Sequence, residues 1–376
     1  MKAGQGRQFR QCNPSPFAGT HASIPYSAFC KVHSFRLDFS LPVGLWIQAF
    51  YVLAGKRRLF TMTLLYQSAQ FLDHDTGRHP ECADRLRAVT RHLADSGLGG
   101  QCRRPPWQPV SGLRMGRVHD LDYVERLRQL AEGGGGAIDP DTIVSRPSYD
   151  VALQAAGAVC DAVARVAAGE DPTALCLVRP PGHHALHQAA MGFCLLNNIA
   201  VGARVATDEL EMDRVLIVDW DVHHGNGTQD AFWEDERVGF FSVHRWPFYP
   251  GTGRRNETGS GAGLGTVCNL PIEMGTSRRD YLARFAGELE AFADRIKPQL
   301  VLVSAGFDSH RLDPIGSLGL EIEDFAQLTD FVCQVADQHA GGRVVSVLEG
   351  GYNPSVLAEC VGTHLQQLLA SGRADT

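Results

Sequence analysis

Between Val215 and Gly227 the chain reads Val-Leu-Ile-Val-Asp-Trp-Asp-Val-His-His-Gly-Asn-Gly, four apolar residues followed by carboxylates, imidazoles and glycines. An apolar, mostly β-branched run that breaks into polar residues is the pattern of a buried parallel strand emptying into a functional loop. Side chains two apart on a strand point the same way, so Asp219, Asp221 and His223 are expected on one side, with His224 turned toward another. An aspartate and a histidine spaced in this way offer one oxygen and one nitrogen to a metal. A catalytic Zn²⁺ usually takes three protein ligands and keeps a position for water, so a third ligand has to come from elsewhere in the chain.

Four other apolar runs end in the same manner. Leu175–Val178 leads into Arg179-Pro180-Pro181-Gly182-His183-His184, and Val238–Val243 into His244-Arg245 and then Phe248-Tyr249-Pro250-Gly251-Thr252-Gly253. Gln299–Ala305 leads into Gly306-Phe307-Asp308-Ser309-His310, and Arg343–Leu348 into Glu349-Gly350-Gly351-Tyr352. Strands alternating with helical stretches predict a single α/β domain with a mostly parallel sheet flanked by helices. Its active site belongs at the C-terminal ends of the strands.

Asp308 is the candidate third ligand, since it follows an apolar strand and lies behind Gly306, which lets backbone pack closely. The alternative is a helix N-cap, a place aspartate favours; the company of Asp221 and His223 at an equivalent strand end favours the ligand. Two carboxylates and an imidazole suit Zn²⁺ or Fe²⁺ with an open position for water. Hydrolysis also needs a base for the water's proton and an acid for the leaving group, work open to the adjacent His183 and His184. Each ring needs an acceptor on its other nitrogen, and Asp219 and Asn226 are placed to serve. A donor for a developing oxyanion is found in Tyr352, carried on Gly350-Gly351, which reads as a flexible hinge.

The 376 residues carry a formal charge of −7, which argues against direct nucleic-acid binding and mildly favours cationic substrates. Ten cysteines, without a C-x-x-C pair, read as buried thiols of a reducing compartment, and a cytoplasmic location is expected. Residues 1–61 differ, with eight Lys or Arg against a single acid, Asp38. They read as a disordered or non-native leader before Met62, with a basic organellar targeting segment or a membrane anchor as alternatives. The run Leu41–Gly55 is short for a membrane span, and no membrane association is expected. The catalytic domain is placed at 62–370 and a tail at 371–376; the oligomeric state is left open, a homo-oligomer included.

Within the domain Thr63–Gln67 reads as a first strand. Helices are expected over Ala83–Leu93, with Pro80 and Glu81 at its first turn, and over Tyr149–Ala168, closed by Gly169. Gly133–Gly136 reads as a flexible loop. Gly259, Gly261, Gly263 and Gly265 imitate a dinucleotide fingerprint without the strand and helix that it needs, and read as a mobile loop.

Taken together, these motifs resemble the histone deacetylase family, and specifically its class II, bacterial amidohydrolase and acetylpolyamine amidohydrolase branch. The resemblance runs from about Met62 to Leu369. It rests on Thr76-Gly77-Arg78-His79-Pro80-Glu81, Arg179–His184, Met191-Gly192-Phe193-Cys194, Asp219–Gly227, Gly306-Phe307-Asp308 and Glu349–Tyr352. It implies an arginase/deacetylase-like fold and a metal-dependent enzyme that cleaves N-acetyl amides of lysine or polyamine type to acetate and a free amine. Carried over by position, Asp221, His223 and Asp308 would bind Zn²⁺, and Tyr352 would polarise the amide carbonyl. His184 would be general base and then acid, and His183, paired with Asp219, its electrostatic partner. Phe193 and Tyr249 would wall a narrow tunnel with Ile315 near its rim, and the Gly192 backbone would meet the substrate amide. The family further implies structural K⁺ at Asp219, Asp221, His223 and Ser242, and at Phe232, Asp235 and Val238.

Asn226 stands where class I relatives have a carboxylate, in agreement with class II, and Tyr352 in place of a histidine marks a competent enzyme. The rim aspartate of class I has no clear counterpart; Leu121 falls nearest, between Asp120 and Asp122. Two rival functions are an arginase-like ureohydrolase, which needs a second metal set, and an acyl-lysine binding protein of weak or no turnover.

Overall fold

The computed structural model describes residues 62–371. The expectations for residues 1–61 and for 372–376 lie outside them. Seven strands form one parallel sheet: β1 (Thr63–Tyr66), β4 (Thr173–Cys176), β5 (Val215–Asp219), β6 (Val238–Arg245), β7 (Val267–Ile272), β8 (Leu300–Ala305) and β9 (Val344–Leu348). Across the sheet the order is β1-β4-β9-β8-β5-β6-β7. Two further strands, β2 (Gly136–Asp139) and β3 (Thr142–Val144), pair as a separate antiparallel hairpin.

Every residue of β4, β5, β8 and β9 is buried, because helices cover both faces of a parallel sheet and leave no side for water. Each Val, Leu or Ile so buried contributes about 1.5–3 kcal/mol relative to exposure. Register lines the strand ends up: Asp219 pairs with Ser304 on one side and Ser242 on the other, and Val347 sits opposite both Ser304 and Cys176. The four loops that leave β4, β9, β8 and β5 are therefore neighbours at one edge. Those loops carry the histidine pair, the tyrosine and all three expected metal ligands.

Several boundaries differ from the sequence reading. The strand expected at Leu175–Val178 pairs over Thr173–Cys176, because its ladder with β1 and β9 begins at Thr173. β6 runs on through Arg245, since His244 and Arg245 pair with Pro271 and Ile272, so His244 belongs to the strand and not to the loop. The first long helix is Ala83–Asp95, with Cys82 at its N-cap. Pro80 precedes it, and Glu81 turns inward instead of serving the helix dipole. The second is Ser148–Ala167, and Gly169 follows at φ +75°. Gly136 opens β2, so Gly133–Gly136 is only partly loop. The glycines at 259–265 form no strand-to-helix turn; a short 3-10 turn, Gly261–Gly263, packs there, with Ser260 N–H bonded to Trp233 O at 2.9 Å. The last helix, Pro354–Ser371, takes in the first residue assigned to the tail.

Among the described residues no helix is long and apolar enough to cross a membrane. Cys102, Cys160, Cys176, Cys194, Cys333 and Cys360 are buried thiols, and Cys82 and Cys268 are partly exposed.

Candidate active site

Asp221, His223 and Asp308 come together, each offering a ligand atom within 4.8 Å of the others. The His223 Nδ1 lies 3.0 Å from Asp221 Oδ1 and 3.2 Å from Asp308 Oδ2. The other oxygens are held by backbone: Gly350 N–H donates to Asp221 Oδ2 at 2.8 Å, and Val222 N–H to Asp308 Oδ1 at 2.8 Å. Asp308 caps no helix. Its Oδ2 is buried and, the His223 ring apart, has no polar partner, a costly state for a carboxylate oxygen unless a cation faces it. Burial, and then the Asp221 charge, push the Asp308 carboxyl up, against the opposing pull of His223.

The neighbouring glycines make this crowding sterically feasible. A Cβ on Gly306 would stand 2.1 Å from Asp221 Oδ2, and one on Gly350 would stand 2.2 Å from Asp308 Oδ2 and 2.4 Å from Asp221 Oδ2. Gly350 therefore serves close approach, where the sequence suggested a flexible hinge. Only Gly351, at φ +116°, has the backbone that a turn before Tyr352 demands.

The two adjacent imidazoles lie in unlike surroundings. His183 Nδ1 is 3.0 Å from Asp219 Oδ2, while His184 Nδ1 is 2.7 Å from Asn226 Oδ1. Burial pulls the His183 ring down, but the Asp219 and Asp221 carboxylates outweigh it and hold the ring up at about 10. Burial, and then the charges of His183 and His223, push His184 well below the ordinary histidine range. An amide oxygen accepts, so His184 carries its proton on Nδ1 and leaves Nε2 with a lone pair. One ring is a cation and its neighbour a free base.

Tyr352 is 8% exposed. Burial, and then the Asp308 and Asp221 charges, raise its phenol well above the usual range, so it stays protonated. Its backbone N–H donates to Asp313 Oδ2 at 2.6 Å, and Asp313 Oδ1 accepts from Ile315 and Gly316 N–H at 2.9 and 3.0 Å. Under the ring lies the Arg85 guanidinium, 5.0 Å from the centroid. Arg85 is buried; its Nε donates to Gly351 O at 2.6 Å and its Nη2 to Glu349 O at 2.5 Å. Glu81 anchors it at 3.0 Å and also binds Arg179 at 2.5 and 2.8 Å. Burial opposes the Glu81 charge, but Arg179 and Arg85 hold its carboxyl down at about 2.

Phe193 packs edge-on against Tyr352, with centroids 5.6 Å apart, and Tyr249 against His184 at 5.3 Å. Phe193 adopts φ +70°, an uncommon conformation for a residue with a Cβ. Its N–H is fixed by Thr142 Oγ1 at 3.0 Å, and the His79 ring meets its side chain at 4.5 Å. Gly192, at φ +56°, lies against His184, where a Cβ would come within 2.4 Å of the ring. Phe248 stacks on His223 at 5.2 Å.

Asp120 and Asp122, examined in the sequence as flanks of a rim residue, belong to a helix start: Asp120 caps Leu121–Glu132 by accepting from Asp122 N–H at 2.8 Å, and Leu121 is 53% exposed. The carboxylates that act on the Tyr249 phenol, after burial, are Asp141 and Asp139 of the β2–β3 hairpin. Sequence reasoning named Glu349 only within its motif, with no role of its own, and passed over these two together with Arg85, Thr142 and Asp313. The available signal was slight: an Asp-Pro-Asp turn between short β-rich runs, and a charged residue immediately after an apolar strand.

The histone deacetylase domain model matches residues 79–368. A histone deacetylase-like amidohydrolase of Pseudomonas aeruginosa is 36% identical over 283 residues, with 75% of this chain and 74% of that protein covered. The human polyamine deacetylase HDAC10 is 41% identical over 307 residues, covering 77% of this chain and 45% of that one. Among solved structures, the HDA15 HD domain superposes with a TM-score of 0.79 at 34% identity, over 83% of this chain and 89% of that one.

Proposed function

The chain belongs to the histone deacetylase family and is a hydrolase acting on amide bonds, and from that premise we propose a zinc-dependent deacetylase that cleaves N-acetyl amides of lysine or polyamine type to acetate and a free amine. The observation that carries this reading is the split between the two imidazoles, one beside Asp219 and one beside Asn226, next to a clustered Asp221, His223 and Asp308. Asp308 Oδ2, buried and without a polar partner apart from the His223 ring, and the room left by Gly306 and Gly350 fit a divalent cation. Asp221, His223 and Asp308 would hold Zn²⁺, with Fe²⁺ suited to the same donors. When bound, the ion supplies Lewis acidity, polarising the acetyl carbonyl and activating water near neutral pH.

The remaining steps belong to the chain's own residues. His184, its Nδ1–H committed to Asn226, accepts the water's proton at Nε2 and returns it to the departing amine. His183, held cationic by Asp219, offsets negative charge beside it. Tyr352 donates its phenolic hydrogen to the carbonyl oxygen as that oxygen becomes an oxyanion. Phe193 and Tyr249 enclose the substrate's methylene chain, Ile315 stands at the rim, and the Gly192 backbone meets the amide nitrogen. Acetyl-lysine side chains and acetylpolyamines both satisfy these contacts, and Asp139 and Asp141 near Tyr249 favour a substrate bearing a further positive charge.

Structural K⁺ is part of the same proposal. His244 Nε2 faces Gly253 O at 2.9 Å and so donates; its Nδ1 then accepts from Ser242 Oγ at 2.9 Å, which leaves the Ser242 lone pairs toward a cation shared with Asp219, Asp221 and His223. At the second set the Asp235 carboxylate is bonded to Arg204 and Arg237, so K⁺ there would rely on carbonyls of Phe232, Asp235 and Val238. The proposed catalytic unit is residues 62–370.

A dinuclear ureohydrolase is disfavoured by the second donor grouping, His183, Cys194 and Glu349. There His183 Nδ1 is engaged by Asp219, and both Glu349 oxygens already accept hydrogen bonds. Kinetics on acetylputrescine, acetylspermidine and an acetyl-lysine peptide test the reading. Turnover of at least one with chelator-sensitive acetate release is expected; binding without turnover of any would leave an acyl-lysine binding protein instead.

A further inference from the structure

We propose that Glu349 is a positioning residue whose carboxylate, by its reach, locks the loop carrying His183 and His184 to the loop carrying Tyr352. The proposal rests on the deacetylase reading above. Glu349 is the first residue beyond β9 and is completely buried. Its Oε2 accepts from Gly182 N–H at 2.7 Å and from His183 N–H at 3.2 Å. Its Oε1 accepts from the Ser304 hydroxyl of β8 at 3.1 Å. The Glu349 backbone is fixed as well: its N–H donates to Ala305 O at 3.0 Å and its carbonyl accepts from Arg85 Nη2 at 2.5 Å.

The three residues that follow are pinned in turn. Gly350 N–H holds the ligand carboxylate of Asp221, Gly351 O is held by Arg85, and Tyr352 N–H is held by Asp313. Four consecutive residues thus each bind a different element of the site. Glu349 is the member that reaches across to the histidine loop, and no other side chain contacts both Gly182 and His183 N–H among the described residues. Two buried backbone donors depend on it, which a shorter acid cannot serve without the loop moving.

Reach and the acid group are separated by two variants. Glu349→Asp keeps the carboxyl group and withdraws the acceptor by one methylene. Glu349→Gln removes the ionisable group and keeps an acceptor oxygen for Gly182 and His183, with its NH₂ facing the Ser304 oxygen. With zinc-loaded protein and an acetyl-lysine peptide, Glu349→Asp should lose about 10–100-fold in kcat with KM within about threefold of wild type, since misplacement near 1 Å costs up to about 10²-fold. Glu349→Gln should stay within about threefold of wild-type kcat. Amide hydrogen exchange supplies a readout apart from activity: a peptide spanning residues 179–186 should lose protection in Glu349→Asp and keep it in Glu349→Gln. The reverse order of the two variants, or equal losses, or unaltered exchange in Glu349→Asp, would overturn the proposal. Inactive wild-type protein would defeat the deacetylase reading instead, and the exchange result would still decide the positioning role.

Discussion

Gly350→Ala is expected to weaken zinc binding severely while leaving the fold standing. The added Cβ would lie 2.2 Å from Asp308 Oδ2 and 2.4 Å from Asp221 Oδ2, where real Cβ contacts essentially never fall under 3.0 Å. Both ligand carboxylates must therefore shift by at least 0.6–0.8 Å. Productive zinc bond lengths tolerate only about 0.2 Å, and changes merely in groups that support ligands cost about 10–100-fold in affinity. A loss of at least about 100-fold, or about 2.7 kcal/mol, follows. Competition with a chromophoric chelator measures it. Gly319→Ala is the control: it carries φ +80° but has nothing within 4 Å of its Cβ, so it tests backbone strain alone. Zinc affinity of Gly350→Ala within a few-fold of wild type, or equal weakening in Gly319→Ala, would refute the steric argument and the ligand assignment behind it.

Three further outcomes are expected. Tyr352→Phe should lower kcat by about 10²–10³ with little change in KM, as removal of an oxyanion donor does; steady-state kinetics that instead moved only KM would speak against the role. Thr142→Val leaves the Phe193 N–H unpaired, costing about 1 kcal/mol in the wall's position, so KM should rise about fivefold while kcat holds within about twofold. Acid should destabilise the protein from about pH 6.5 downward. Burial holds His74 and His119 down at about 4 and His364 at about 3, below the unfolded value near 6.5. Through these three rings alone the unfolded chain binds up to three more protons than the folded one between about pH 6.5 and 4, a loss of at most about 4 kcal/mol per unit as pH falls, which the Asp308 and Glu349 carboxyls, held up at about 7 by burial, partly oppose. The Glu81 share, with its carboxyl at about 2, is present above about 4.5 and is lost only below that. Urea midpoints at pH 7.5, 6 and 5 follow this, and a flat profile would contradict it.

Much of the site was legible because metal and proton chemistry demands particular residue types at strand ends. A parallel sheet brings those ends together: Asp221, His223 and Asp308 could be named once five apolar runs were seen to end in polar residues. The supporting residues were not legible for an equally physical reason. Arg85 sits on a helix and reads as surface charge, yet it is buried because Glu81 neutralises it and two carbonyls await it. Glu349 and Asp313 act through backbone N–H groups, which leave no trace in residue type. The Gly350 role depends on two carboxylates brought in from other strands, so local reading returned the hinge that glycines usually signal. Asp139 and Asp141 come from a hairpin outside the main sheet, and their nearness to Tyr249 follows from no strand pattern.

The most direct test of the whole account is a zinc titration of metal-free protein, followed by acetate release from an acetyl-lysine or acetylpolyamine substrate. Activity should be absent at the start, rise in proportion to added zinc and level off at one equivalent per chain. Full activity without zinc, or a plateau at two equivalents, would contradict a single centre formed by Asp221, His223 and Asp308.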